Sequence, residues 1–177
     1  MPGFVEIDLV GHEGGNNSGE FCFTLDITDI AIGWTETRSV RNKAQKWVFA
    51  AIKDATASLP FPILGIDSEN GREFINWELF RWYEKEKPKF TRSRSGNKND
   101  DAHVEQKNWH IVRQTVGYHR YDTAGELDLL NQIWELQRLL TNHFAPQQKL
   151  ISKTRIEAKM IKKYDLSARS KLSPPNN

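Results

Sequence analysis

The stretch that decides the fold is GIDSENGREFIN, residues 65–76. It overlaps the end of the hydrophobic run FPILGI (61–66), so a buried segment leads directly into several carboxylates, a glycine and an amphipathic segment. This order is typical of a strand that delivers acidic side chains to a sheet edge before the chain enters a helix. The function therefore depends on which of these carboxylates are used, and for what.

The composition indicates one globular domain. The chain has 177 residues, 38% of them hydrophobic, with six Trp and nine Phe, which is enough to bury a core. No run is as long as a membrane span, and the N-terminus lacks the basic-then-apolar layout of a signal peptide. The single cysteine, Cys22, excludes an internal disulfide framework and a Cys-rich zinc site, so a cytoplasmic protein is expected.

The charges are unevenly distributed although the net charge is only +2. Acids concentrate in the first ninety residues and at 100–101, whereas 90–98 and 151–165 are basic. Such an uneven charge distribution can place a polyanion against an acidic metal centre. The same distribution also occurs on ordinary solvent-exposed surfaces without a binding role.

The order of hydrophobic patterns predicts an α/β fold. Its first three strands form an antiparallel meander, and a later helix-to-strand connection indicates a parallel crossover. A core at 1–145 is followed by a basic extension at 146–177 that is predicted to be partly helical with a frayed end. The predicted strands are 4–10, 20–28, 30–40, 61–66 and 88–92, and the predicted helices are 42–59, 71–85, 104–118 and 126–144, with a flexible loop at 93–103.

Two helices have clear apolar faces, which predict their buried sides. The face of the first consists of Ala44, Trp47, Val48, Ala51, Ile52 and Ala55, and that of the last of Leu127, Leu130, Trp134 and Leu140. The helix at 104–118 is expected to bury Val104, Trp109, Val112 and Val116.

Acidic residues on three separate elements are candidates for a metal site: Asp8, the acids at 67–69, and Glu105. Converging carboxylates need a counterion, and hard oxygen ligands suit Mg²⁺ or Mn²⁺. Two such ions about 4 Å apart can clamp the attacking and leaving oxygens of a phosphoryl transfer. Each acid, taken singly, is also explained as a surface residue or a helix cap.

Three blocks, FVEIDLV (4–10), SENGREFIN (68–76) and NDDAHVEQKNW (99–109), resemble the signature blocks of the integrase catalytic core of retroviral integrases and insertion-sequence transposases. The resemblance covers nearly the whole chain, including VRQTVGYHRYD (112–122). It implies a ribonuclease-H-like fold with a five-stranded mixed sheet flanked by helices and extra C-terminal helices. It also implies a site of two Mg²⁺ or Mn²⁺ ions, held by Asp, Asp and Glu, that cuts and joins DNA.

Carried over by position, the first aspartate is Asp8 and the glutamate is Glu105. The family pattern, an acid followed by Asn-Gly, one residue and Glu-Phe, places Glu69 at the second aspartate. Thirty-five residues separate Glu69 from Glu105, the interval common in the family. The glutamate at this position is a departure.

The carboxylate of Glu69 extends about 1 Å further from the backbone than that of an aspartate, whereas catalytic sites tolerate a misplacement of about 0.5 Å. Three interpretations remain open: Glu69 binds metal with an adjusted backbone, Asp67 contributes, or the site is impaired. The resemblance favours Glu69 as the ligand.

Other polar residues near these acids are candidates for DNA contact or for support. Histidines 12 and 103 are expected at the surface or behind the ligands, and Asp26 and Asp29 as turn formers between strands. Basic and amide side chains around the flexible loop are the DNA-binding candidates: Arg92, Arg94, Lys98, Lys107 and Asn108.

The resemblance thus implies the catalytic core of a bacterial insertion-sequence transposase, acting on transposon ends and target DNA as at least a dimer, without a membrane. Flanking DNA-recognition domains are expected outside this sequence. The alternatives are a ribonuclease-H-like nuclease and a non-catalytic DNA-binding or assembly domain with a decayed site.

Overall fold

The computed structural model describes residues 1–68, 89–92, 108–144, 150–156 and 159–164. The strands are β1 (Phe4–Gly11), β2 (Phe23–Asp29), β3 (Thr35–Val40), β4 (Gly65–Ser68), β5 (Lys89–Arg92), β6 (Leu150–Ile156) and β7 (Lys159–Tyr164). The helices are α1 (Gln45–Ala57), α2 (Gln114–Val116) and α3 (Ala124–Leu139), with π-helical segments at Asn108–Arg113 and Leu140–Phe144. The predicted helix at 71–85 lies outside the described residues.

Strands β1 to β5 form one mixed sheet in the order β3-β2-β1-β4-β5. The first three are antiparallel neighbours, while β4 runs parallel to β1 and to β5. The sheet is flanked by helices, which confirms the predicted mixed α/β architecture. The short strand β5 lies at one edge, as predicted for 88–92.

One face of the sheet packs against α1. The buried residues of this layer include Ile7 of β1, Leu25 of β2 and Ile66 of β4, against Val48 and Ile52 of α1. Their aliphatic side chains follow the period of two along the strands and the helical period along α1. This contact confirms the predicted inner face of α1 from Val48 onward.

The first turn of α1 differs from the prediction. Ala44 is exposed and Trp47 is 40% exposed, because this end of the helix extends past the buried layer. The Nζ atom of Lys46 lies 4.6 Å from the centroid of the Trp47 ring. A cation over an aromatic face stabilises an indole that remains in contact with water.

The opposite face of the sheet packs against α2 and α3. Its core consists of Val10, Cys22, Val112, Val116, Leu130 and Trp134. Helix α3 begins with a capping box, in which Thr123 and Glu126 each bond the other's backbone N–H. This satisfies two of the N–H groups that a helix start leaves open.

Leu140, predicted on the inner face, is 52% exposed. The helix widens to π geometry at Leu140–Phe144, which shifts the inward positions to Thr141 and Asn142. The amide of Asn142 accepts from Thr35 N at 2.9 Å and donates to Thr35 O at 2.7 Å. Asn131 makes the same pair of bonds with Ser39, so α3 and its extension cover the outer edge of β3.

Three predicted strands are displaced. The strand expected at 30–40 begins only at Thr35, because Asp29 accepts from Ala31 N and Ile32 N and forms a turn. The strand expected at 20–28 begins at Phe23. The strand expected at 61–66 forms at Gly65–Ser68, since Pro62 has no N–H to donate.

The basic C-terminal segment, which was predicted to be partly helical, forms strands in its described residues. Residues Leu150–Ile156 and Lys159–Tyr164 are antiparallel strands paired with each other. The β-branched residues Ile151, Thr154, Ile156 and Ile161 in these two segments favour a strand.

Candidate active site

Asp8 lies in the middle of β1, the central strand of the sheet, and is half-buried. Its neighbours Ile7 and Leu9 pack in or against the α1 core. Side chains alternate along a strand, so Asp8 shares the other face with Val10, which packs against Val112 of the π-helical segment. The first predicted ligand is therefore held in a strand that pairs with β2 at Asp8 itself and with β4 up to the preceding residue, Ile7.

Three further carboxylates share this face: Glu6 and Asp26, both buried, and half-buried Asp67. In the register, Asp26 of β2 is opposite Asp8, and Asp67 of β4 is beside Glu6. Asp67 thus stands two residues before the level of Asp8, about 7 Å along the strand.

Asp26 was wrongly predicted to be a turn former. It is fully buried inside β2, and its Oδ1 accepts a bond from Thr28 Oγ1 at 3.2 Å. The alternation of Thr24, Asp26 and Thr28 with Leu25 and Ile27 is the signal that could have placed it on the sheet face. Asp29, by contrast, is confirmed as a turn former.

The other predicted site residues lie wholly or partly outside the described part of the chain. Arg92 and Asn108 are placed by their backbone only: Arg92 ends β5 and pairs with Ser68, and Asn108 begins the π-helical segment. Among the described side chains, no group of three or more His, Cys, Asp or Glu could hold a metal ion. The residues outside the description are Glu69, Arg94, Lys98, His103, Glu105 and Lys107.

His12, predicted at the surface or behind the ligands, is fully buried. Its Nε2 lies 2.7 Å from Thr24 Oγ1, which lies 2.8 Å from Ser39 Oγ. Trp134 Nε1 donates to Ser39 Oγ at 2.7 Å. This buried chain of polar groups joins the residue after β1 to β2, β3 and α3.

Burial lowers the pKa of His12 to about 4. Burial is the largest cause of this lowered pKa; the nearby Arg113 guanidinium also contributes to it, while Glu13 acts in the opposite direction. The imidazole is therefore neutral at pH 7.

Two arginines hold the end of β1 and the glycine-rich turn after it: Arg113, the last residue of the π-helical segment, and Arg120, which follows that segment. Arg113 donates from Nη2 to Gly11 O at 2.9 Å. Arg120 donates to the carbonyl oxygens of Asn16, Ser18 and Glu20 at 2.7 to 3.1 Å. The sequence signal for both is VRQTVGYHRYD (112–122), which carries them seven residues apart.

No helix of the described residues is long and apolar enough to cross a membrane.

Comparison with protein-family models finds no match. A curated relative, the uncharacterized protein y4rM of Sinorhizobium fredii strain NBRC 101917 / NGR234, is 43% identical over 164 residues. That alignment covers 93% of this chain and 47% of the relative. The chain therefore spans about half the length of the curated relative it matches.

The solved structures that share this fold include integrases. The catalytic core of BIV integrase aligns with a TM-score of 0.59 at 14% identity, over 78% of this chain and 82% of that one. The HTLV-2 integrase catalytic core in complex with magnesium, in its dimeric form, aligns with 0.61 at 15% identity, over 83% and 91%. The simian T-cell lymphotropic virus intasome aligns with 0.62 at 16% identity, over 82% and 50%. The chain has the fold of a retroviral integrase catalytic core domain.

Proposed function

We propose that this chain is the catalytic core of a DNA transposase or integrase, and that Asp8, Glu69 and Glu105 form its active site. The observation that carries the proposal is the parallel register of β1 and β4, in which Ile7 pairs with Ser68. Continued by one residue, this register would pair Asp8 with Glu69. The alternation of side chains would then bring both carboxylates to the same face of an integrase-type sheet.

The donor chemistry of this face fits a hard divalent cation. The described carboxylates on this face are Glu6, Asp26 and Asp67, and carboxylate oxygens are the ligands that Mg²⁺ and Mn²⁺ prefer. Asp8, Glu69 and Glu105 would hold two Mg²⁺ or Mn²⁺ ions, which supply an activated water and neutralise charge on the phosphate. A magnesium-bound structure exists for the HTLV-2 core, which supports the same choice here.

The register favours Glu69 over Asp67 as the second ligand. Asp67 lies beside Glu6, so Asp67 would have to reach along the strand to meet an ion bound at Asp8. Glu69 needs only to accommodate its additional methylene. Asp67 remains the alternative that the experiment below tests.

DNA would approach the carboxyl ends of β4 and β5. Arg92 ends β5 beside Ser68, so it stands next to the strand end from which Glu69 follows. We assign phosphate contacts to Arg92, Arg94, Lys98, Lys107 and Asn108, since basic and amide side chains bind the DNA backbone without reading sequence. The curated relative is bacterial, which supports action on DNA in a bacterial cytoplasm.

The exposed face of α3 supports association of two copies. Four apolar residues at helical spacing, Leu129, Ile133, Leu136 and Leu140, are exposed, and Leu136 is 72% exposed. Phe144 continues this stripe. A contiguous apolar stripe of this kind is typical of a protein interface, and light scattering should show a dimer that Leu136→Glu dissociates.

The experiment is DNA cleavage and strand transfer with Mg²⁺ or Mn²⁺, on the chain and its single variants. Asp8→Asn and Glu69→Gln should each abolish both reactions, while Asp67→Asn should keep them. An inactive Asp67→Asn beside an active Glu69→Gln would assign the ligand to Asp67. The Glu69→Asp variant tests whether the natural glutamate impairs the site. If this variant is more active than the natural chain, the glutamate weakens the site.

The alternatives give different outcomes in the same assay. Cleavage of an RNA–DNA hybrid without strand transfer would indicate a ribonuclease-H-like nuclease. DNA binding without calorimetric Mn²⁺ binding would indicate an assembly domain with a decayed site. Either result would refute the proposed transposase activity.

A further inference from the structure

A cavity of about 630 Å³ lies at the carboxyl end of β1, between the glycine-rich turn after that strand and the segment that leads into α1. This volume is within the range of sites that hold small organic ligands. We propose that the cavity binds an unstacked nucleobase of the DNA substrate, with the base lying on the ring of Phe21. The identity of this ligand rests on the function proposed above.

Two aromatic rings line one side of the cavity. Phe21 and Phe23 are half-buried and stacked, with ring centroids 5.0 Å apart and an angle of 25° between the ring planes. Gly11 is paired with Phe23, and a Cβ atom on Gly11 would lie only 3.1 Å from Phe23 Cε1 and 3.3 Å from Phe21 Cε2. The glycine therefore leaves room for a flat aromatic surface, on which another ring can stack.

Arg120 holds the wall of the cavity in place. It donates to the carbonyl oxygens of Ser18 and Glu20 at 2.9 and 3.1 Å. Its guanidinium carbon lies 5.6 Å from the centroid of the Phe21 ring. These contacts order the turn before a ligand binds, which reduces the entropy that binding has to cost.

The polar groups of the cavity favour a neutral ring that both donates and accepts hydrogen bonds. They are two carboxylates, two amides and one ammonium group, from Glu13, Glu20, Asn17, Asn42 and Lys43. The carboxylates disfavour a phosphate, whereas Lys43 and the nearby Arg120 disfavour a cationic side chain. A nucleobase is flat and uncharged and forms hydrogen bonds along its edge, so it fits this lining.

Glu13 is the side chain that would distinguish among the bases. The carboxylate of Glu20 already accepts from Asn42 Nδ2 at 3.0 Å and pairs with Arg41 at 3.4 Å. Glu13 is half-buried and has no such partner among the described side chains. A carboxylate accepts from the exocyclic amino group of cytosine, adenine or guanine, which thymine lacks. The cavity should therefore prefer a base with an amino group to thymine.

The cavity lies close to Asp8 but is separate from the proposed metal site. Gly11 follows Asp8 by three residues, about 10 Å along the strand. Phe23 packs against the α1 layer, whereas Asp8 is on the other face of the sheet. A base bound here would anchor the DNA strand near the reacting phosphate without taking part in the reaction.

The test is fluorescence anisotropy with a DNA duplex that carries a single-stranded extension of cytosine nucleotides, of thymine nucleotides or of abasic sugars. At one salt concentration, the phosphates contribute equally to the binding of all three probes. Stacking of one base corresponds to about a tenfold change in Kd, so the natural chain should bind the cytosine extension about tenfold more tightly than the abasic one. Phe21→Leu keeps an apolar side chain without a ring and should bind both alike.

A second variant and a control separate base binding from folding. The natural chain should prefer the cytosine to the thymine extension by about fivefold, and Glu13→Ala should remove this preference while still favouring either over the abasic probe. Phe4→Leu is the matched control, because Phe4 is 42% exposed at the opposite end of β1. Loss of the Phe4 ring should change none of the three affinities. Circular dichroism checks the fold of each variant.

The outcomes separate this inference from the proposed function. Equal affinity of the natural chain for the cytosine and abasic extensions overturns the nucleobase site and does not affect the proposed active site. A natural chain that binds none of the three probes refutes the proposed action on DNA as well. NMR shifts of the Phe21 ring that appear with N-acetylarginine amide but not with deoxycytidine would show that the cavity takes a cationic side chain of a protein, and the inference would be wrong.

Discussion

The buried imidazole of His12 should make the free energy of unfolding depend on pH between about 4 and 6.5. Its pKa is about 4 in the folded protein, against 6.5 for the free side chain. Between these values the unfolded chain binds a proton that the folded chain does not, so the free energy of unfolding falls as the pH falls. The contribution is fully present above pH 6.5 and is lost progressively toward pH 4.

The magnitude follows from the size of the shift. Each pKa unit corresponds to about 1.4 kcal/mol, so the full shift corresponds to about 3.4 kcal/mol of the free energy of unfolding. About 2.5 kcal/mol of this contribution is lost between pH 7.5 and pH 4.5. The reference is His12→Gln, whose amide can still bond Thr24 Oγ1 but does not titrate. The advantage of the natural chain over this variant should shrink by about 2.5 kcal/mol between the two pH values.

The assay is urea unfolding of both proteins at pH 7.5, 6.5, 5.5 and 4.5, followed by tryptophan fluorescence. Acids and the other histidines titrate in both proteins, so the difference isolates His12. A stability difference that stays constant to within about 0.5 kcal/mol from pH 7.5 to pH 4.5 would show that His12 is not held neutral by burial. NMR titration of the His12 ring provides an independent check, with a midpoint near pH 4 expected.

Three further predictions concern other contacts. Asn142→Ala should destabilise the fold by about 2–4 kcal/mol in urea unfolding, because it leaves the buried N–H and C=O of Thr35 unpaired; a loss under 0.5 kcal/mol would contradict this. Gly14→Ala should increase hydrogen exchange in the turn at 13–20, since Gly14 has φ +60° and an added Cβ would lie 2.6 Å from Arg120 Cβ; protection equal to that of the natural chain would count against it. Burial raises the pKa of Cys22 to about 11 from 9.0, so native Cys22 should react with iodoacetamide at pH 8 about 100-fold or more slowly than the unfolded chain does; equal rates would disprove the prediction.

Local patterns predicted much of the fold. The alternation in 4–10 placed β1, and the helical period of Val48, Ile52 and Ala55 placed the buried face of α1. The same reasoning failed for Trp47 and Leu140, because it contains no information about where a helix passes beyond its neighbour or changes its pitch. For Asp26, the bias of aspartate toward turns outweighed the alternation of its strand.

The candidate site was predicted in part. The sequence singled out Asp8 on the first strand, and the structure shows that this strand is the central one of the sheet. The assignment of Asp8, Glu69 and Glu105 as ligands remains a prediction. His12 was noticed only for its position near Asp8. Its burial depends on Thr24 of β2, which lies 2.7 Å from its Nε2, and on the ring of Tyr121, 5.3 Å away, both from elsewhere in the chain.

The sequence by itself determined which segments alternate between apolar and polar residues and which segments are amphipathic. It also determined which acids lie in the motifs that resemble the integrase signature blocks. All of these properties are local. The tertiary structure decided which residues meet. It placed Asp26 opposite Asp8, Asp67 beside Glu6, and Arg113 on the carbonyl of Gly11. Strand order, register and long-range hydrogen bonds arise from packing of the whole chain, so the short-range pattern around any one of these residues does not contain them.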